Sequence, residues 1–110
     1  QGLFNDYRFR LMKRSAFFIN VGRGAMVILD DLVKALNEGE IQGAALDVFE
    51  KEPLTDNHPL WTTPGVIITP HVAGIGPYLL DRRVELYLDN CVRFSQDKPL
   101  RNVVDKKLWF

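Results

Sequence analysis

Hydrophobic positions along the chain fall into short apolar runs separated by segments of helical spacing. Ala16 to Val21 is apolar on both alternating faces apart from Asn20 and is rich in aromatic and β-branched residues, the pattern of a strand buried between layers. It reads as a central strand. Gly22 and Gly24 follow, allow a sharp turn and a close backbone approach, and leave Arg23 where the strand stops. Leu32, Val33 and Leu36 recur at helical spacing within Leu29–Asn37; Asp30 and Asp31 lie in the first turn, where negative charge suits the helix dipole, and Gly39 closes the segment. Ile41 to Phe49 is a second apolar run, interrupted near its end by Asp47, with small residues at Gly43, Ala44 and Ala45 that let a helix lie close. Strand, helix and strand in that order make a βαβ unit. After the Pro64-Gly65 turn, Val66 to Thr69 is a third strand, and Pro70-His71-Val72-Ala73-Gly74 leaves it.

Two further segments flank these elements. Phe4 to Met12 predicts a short helix capped by Asn5 or Asp6, with Phe4, Phe9 and Met12 on one apolar side. Leu79 to Ser95 predicts a long helix on which Leu80, Val84, Tyr87, Leu88, Cys91 and Phe94 form a stripe, and Cys91 is expected to be a buried small hydrophobe. The class is α/β, a parallel sheet with flanking helices.

Composition narrows the partners. The chain has 110 residues, 46% hydrophobic and 25% charged, as one globular unit does. Fourteen basic and fourteen acidic residues cancel and are scattered, which leaves no electrostatic footprint for nucleic acid or an anionic membrane. No apolar run is long enough to span a bilayer, and the first residues lack the order of a signal peptide. One cysteine, Cys91, makes no internal disulfide, so a reducing, cytoplasmic setting is expected.

The candidate chemistry sits where strands end, because ligands of parallel α/β sheets gather beyond the carboxyl ends of the strands. Arg23 alone is equally compatible with an arginine that covers a strand end or pairs with a surface carboxylate. His71 alone is best read as a histidine satisfied by backbone hydrogen bonds, and His58, before a proline, as a loop residue with no chemical role. Together, Arg23, Asp47 through Glu52, and His71 occupy three successive strand exits. A cation, a carboxylate and an imidazole so arranged suit chemistry on a small carboxylate with a neighbouring carbonyl. A guanidinium grips a carboxylate with two parallel hydrogen bonds, the imidazole exchanges the proton, and a carboxylate behind the imidazole fixes its tautomer and favours its protonated form.

Three linked motifs carry a resemblance. Ile19-Asn20-Val21-Gly22-Arg23-Gly24, Gly43-Ala44-Ala45-Leu46-Asp47-Val48-Phe49-Glu50-Lys51-Glu52-Pro53 and Ile68-Thr69-Pro70-His71-Val72-Ala73-Gly74 resemble, in order and spacing, the signature of the D-isomer-specific 2-hydroxyacid dehydrogenases, in particular the glyoxylate and hydroxypyruvate reductase branch. The likeness extends to Leu11-Met12-Lys13, Pro59-Leu60-Trp61 and the Asn90 to Asp105 region. It implies the C-terminal half of a Rossmann-like parallel sheet with flanking helices plus a long C-terminal crossing helix. Residues 1–76 are then the second half of an NAD(P)-binding domain, and 77–110 a crossing helix and tail belonging to the substrate domain.

The resemblance also implies roles. Arg23 holds the substrate carboxylate and polarises its carbonyl; His71 donates the proton as hydride arrives from NADH or NADPH; Glu52 is the partner of His71, and Glu50 a bystander. Val21, Gly22, Arg23, Asp47, His71 and Gly74 border the cofactor, with Asp47 near the nicotinamide carboxamide. The substrate is a small 2-oxo acid, reduced to the D-2-hydroxy acid, and the complete protein is expected to be a homodimer. A binding protein is the alternative: nicotinamide-sensing transcriptional co-repressors resemble the enzymes at the arginine, glutamate and histidine too. Their long disordered extensions have no counterpart after Asn102 to Asp105, which favours the enzyme.

The chain departs from the family pattern in three ways. Ile28-Leu29 stand where an acidic pair usually caps the helix, shifting the cap to Asp30 or the backbone; Ile75-Gly76-Pro77 replace an expected hydroxyl residue. No Gly-x-Gly-x-x-Gly turn with a downstream acidic residue is present. We therefore expect a fragment of a longer protein, inactive in isolation, with part of the stripe from Leu80 to Phe94 and the tail from Pro99 to Phe110 exposed or covered by another chain.

Overall fold

The computed structural model describes residues 1–108. Two compact units are present, Gln1–Gly74 and a second beginning at Ile75. In the first, strands β1 (Phe17–Asn20), β2 (Gly43–Leu46) and β3 (Val66–Ile68) form a parallel sheet in the order β1-β2-β3. The register pairs Phe18 with Ala44 and Ala44 with Val66, then Asn20 with Leu46 and Leu46 with Ile68. All three strands therefore end level with one another, and the segments leaving them emerge at one edge of the sheet.

Helices α1 (Asp6–Arg10) and α2 (Leu29–Asn37) cover one sheet face. Phe9, Phe18, Leu32, Ala35, Ala44 and Leu46 are buried there together, with Phe9 edge-on to Phe18 at 5.4 Å between ring centroids. Asn5 caps α1, its side-chain oxygen accepting from the Arg8 amide, and Phe4 and Met12 pack beside buried Phe9 as the pattern predicts. α2 starts at Ile28 without any side-chain cap, so the backbone alone carries that end. Asp31 instead accepts from the Asp6 amide at 2.9 Å, serving the first turn of α1 from across the helix pair.

Two expectations change in this unit. β1 is not central but lies at the edge of the described sheet, and its alternate residues Phe17 and Ile19 are more than half exposed. Its two-sided apolar character meets a layer on one side only among the described residues. Gly43 makes room for something other than a helix: an added Cβ would stand 2.8 Å from the Gly65 carbonyl oxygen and 2.9 Å from the Phe17 ring.

The second unit is built on α3 (Leu79–Ser95). Asp89 receives Arg93 and Arg101, each at 3.0 Å, and the side chain of Asn90 exchanges two hydrogen bonds with the Arg101 backbone, so the residues after the helix fold back along it. No residue of α3 is buried, and the stripe residues Leu80, Val84, Tyr87, Leu88 and Phe94 are exposed. Cys91 is exposed with them, contrary to the expected burial, because a stripe is a core only where another layer covers it. Of the tail, Trp109 and Phe110 lie outside the described residues.

Candidate active site

The exit from β1 is shaped by Asn20. Its side-chain oxygen accepts from the Gly22 amide and its amide nitrogen donates to the Arg23 carbonyl, both at 3.1 Å, closing a local turn of the kind short polar side chains make with their own backbone. The Arg23 side chain reaches solvent and donates to the Gly22 carbonyl at 2.8 Å, which leaves most of its donor fork free. The next residues are tied down by the amino-terminal segment: the Gly2 and Phe4 amides donate to Ala25 and Met26, and the Ile28 amide to Phe4. Gly24 lies on the backbone of the neighbouring exit, with space for no side chain: an added Cβ would fall 1.9 Å from the Phe49 carbonyl carbon.

The exits of β2 and β3 are joined by two carboxylates. Glu52 accepts from the Phe49 amide at 2.9 Å through one oxygen and meets His71 Nδ1 at 2.7 Å through the other. Those contacts, the imidazole first and then the amide, hold the Glu52 carboxyl below its ordinary value. An ionised carboxylate only accepts, so Nδ1 carries the proton and Nε2 is left for chemistry. His71 has a left-handed backbone, φ 55°, a costly conformation for a residue with a Cβ. Asp47 is 3% exposed and accepts from the Thr69 hydroxyl, the Val72 amide at 2.9 Å and the Ala73 amide at 2.8 Å. The Thr69 bond leads in holding the Asp47 carboxyl low, against the opposing effect of burial.

Arg23, Glu52 and His71 thus come together around one cavity of about 320 Å³, floored by Gly24, Val48 and Phe49. A larger cavity, about 620 Å³, also reaches Glu52 and His71 and is otherwise mostly apolar, with Leu54, Trp61 and Ile68 on its walls. Val21, Gly22 and Gly74 lie exposed on the strand-exit loops, and Gly74 has open space where a side chain would be. Glu50 also lines the Arg23 cavity, but its side chain accepts from the Gln1 amide at 3.0 Å, whereas Glu52 is the carboxylate bonded to His71. His58 has a structural job, its Nδ1 accepting from the Leu60 amide at the start of the turn Pro59–Trp61. The pattern of the chain did not single out Thr69, and it marked Asn20 only as a polar break. For Asn20 the signal was available, a short amide side chain just ahead of a glycine turn.

Residues 1–73 match the family model of the D-isomer specific 2-hydroxyacid dehydrogenase NAD binding domain. The chain belongs to that family. Similar relatives include the glyoxylate reductase of Aeropyrum pernix, 42% identical over 96% of this chain and 32% of the relative. Glyoxylate/hydroxypyruvate reductase A of Photorhabdus laumondii is 38% identical over the whole of this chain and 34% of the relative. Among solved structures, a probable 2-hydroxyacid dehydrogenase from Rhizobium etli, in complex with NADP, HEPES and L(+)-tartaric acid, aligns with a TM-score of 0.85 at 35% identity, covering 99% of this chain and 35% of that one. The NADPH-dependent glyoxylate/hydroxypyruvate reductase of Sinorhizobium meliloti, in complex with NADP and sulfate, also aligns at 0.85 and 35% identity, over 100% of this chain and 36% of that one. The α/β fold read from the sequence, half of a Rossmann-like parallel sheet with flanking helices, is that of these dehydrogenases. This chain spans about a third of the length of the curated relatives it matches.

Proposed function

We propose that the complete protein reduces a small 2-oxo acid, such as glyoxylate or hydroxypyruvate, to the D-2-hydroxy acid at the expense of NADH or NADPH. The observation that carries this reading is the 2.7 Å Glu52–His71 contact on a cavity shared with Arg23. The residues fit a nicotinamide cofactor at one end only: level exits of a parallel sheet, exposed backbone at Val21, Gly22 and Gly74, and the nearby side chains of Arg23, Asp47 and His71. When bound, the cofactor supplies the hydride.

The side chains of this chain do the rest. Arg23 offers paired donors to the substrate carboxylate and places the adjacent carbonyl in the cavity. His71 gives the proton from Nε2 to the carbonyl oxygen, and Glu52, on Nδ1, orients the ring. Asp47 holds the His71 loop through the Thr69 hydroxyl and the Val72 and Ala73 amides. In the reverse direction His71 is the base. Residues 1–76 are taken as the second half of the cofactor domain and 77–110 as part of the substrate domain, within a cytoplasmic homodimer. Among the described residues no helix is long and apolar enough to cross a membrane.

The test is His71→Ala in the complete protein, assayed for reduction of glyoxylate and hydroxypyruvate. A loss on the order of 10² to 10⁴ in kcat is expected. Unchanged turnover would remove His71 from the reaction and the proposal with it.

A further inference from the structure

The reading of His71 as proton donor leaves open what holds its ring against Glu52, since the residue stands on a left-handed backbone in a loop that opens straight from a strand. Thr69 is where that loop is fixed. Its amide donates to the Leu46 carbonyl at 3.0 Å, extending the β2–β3 pairing one residue beyond β3. Its carbonyl accepts from the His71 amide at 3.1 Å, across Pro70, in a tight three-residue turn. Its hydroxyl donates to Asp47, which in turn takes the Val72 and Ala73 amides. Residues on both sides of His71 are therefore bonded, and the carboxylate that grips the far side is itself held from the near side by Thr69.

We propose that Thr69 is a positioning residue for the proton donor: through its hydroxyl on Asp47 it sets the turn that presents His71 to Glu52. The inference rests on the proton-transfer reading above. Thr69 lines the larger cavity beside Glu52 and His71 but not the one that holds Arg23, so its predicted effect passes through the placement of His71 and not through the arginine's grip on the substrate carboxylate. Without the hydroxyl, the Asp47 carboxylate keeps only the Val72 and Ala73 amides from beyond His71, and the near side of the loop is held by the Thr69 backbone bonds alone. The side chain is exposed, so replacing it removes the bond without opening a hole in the core.

The experiment compares Thr69→Val, Thr69→Ser and His71→Ala in the complete protein, with steady-state kinetics on glyoxylate and a melting curve for each. Thr69→Val, nearly the same shape without the donor, is expected to lower kcat at least tenfold while KM for the 2-oxo acid stays within about threefold. Thr69→Ser, which restores the hydroxyl, is expected to recover most of kcat. If Thr69→Val does not yield folded protein, Thr69→Ala replaces it under the same criteria. Full kcat in the folded Val or Ala variant, with His71→Ala inactive, overturns the positioning role alone, and so does a loss that Ser does not recover. A His71→Ala protein that turns over normally overturns the proton-donor reading instead.

Discussion

Replacing Gly24 by alanine tests whether the arginine loop and the glutamate loop form one body. The new Cβ would fall 1.9 Å from the carbonyl carbon of Phe49, 2.0 Å from its oxygen and 2.4 Å from the Glu50 nitrogen. That is roughly 1.5 Å short of ordinary contact, and all three atoms are backbone, so no rotamer change relieves the overlap. The two loops must separate. Overpacking usually costs about 1–3 kcal/mol, and the absence of a flexible neighbour puts this substitution at the upper end, ~3 kcal/mol. In a protein of two ordinary domains that is a fall of about 6–12 °C in melting temperature. The separation also carries Arg23 away from Glu52 and His71, where a misplacement of about 1 Å can cost a hundredfold in rate. Far-UV circular dichroism on heating and kcat/KM for glyoxylate measure the two effects. Gly76→Ala is the control: nothing lies within 4 Å of its added Cβ, and it should stay within about 0.5 kcal/mol of the parent. A Gly24→Ala protein that melts with the parent and keeps its turnover would mean that the two loops part freely and that their contact does not define the site.

Two other outcomes follow from the carboxylate and the helix cap. The carboxyls of Asp47 and Glu52 are held below their ordinary values, so what they contribute is complete above the unfolded carboxylate range near pH ~4 and is lost as pH falls through the lower folded values. Asp47→Asn should therefore unfold more readily than the parent at pH 7, with the gap closing on acidification to pH 3; in urea titrations at the two pH values, a gap that widens on acidification would contradict the arrangement. Asn5→Ala removes the acceptor for the Arg8 amide and should cost about 1 kcal/mol, read as a lower urea midpoint; an unchanged midpoint would show that water serves that amide equally well.

The helices were the most legible part of the chain. α2 and α3 run over Leu29–Asn37 and Leu79–Ser95 as their spacing predicts, because a 3.6-residue period repeated over several turns leaves little freedom of register. The strands were legible as elements but not in their surroundings. Phe17 and Ile19 are as apolar as Phe18, and sequence does not distinguish a strand covered on both faces from one covered on a single face among the described residues. The same limit explains Cys91, whose place on the stripe was right and whose burial was not. Arg23 and His71 stood out as candidates because each is a reactive side chain at a strand exit, whereas Glu52 was separated from the rest of the Asp47 to Glu52 stretch only by the family resemblance. Thr69 escaped because its hydroxyl matters only through Asp47, 22 residues earlier, and Asn20 because the need for a turn-former appears only once the Gly22 amide has to be satisfied.

The bond between the Phe49 amide and its own loop's Glu52 makes the length of that loop a chemical quantity. One added residue between them would move the carboxylate by up to about 3.3 Å along the chain, more than the whole 2.7 Å separation from His71. Beyond Pro53 the chain runs through Asp56 and Asn57 at the surface before Leu60 re-enters the core, and no side chain of the Arg23 cavity lies on it. Natural variants of this protein should accordingly gain or lose residues around Asp56 and Asn57 and keep Phe49 and Glu52 three positions apart. An insertion that respects that division leaves the proton donor's partner in place, and one that ignores it removes the partner without altering a single catalytic side chain.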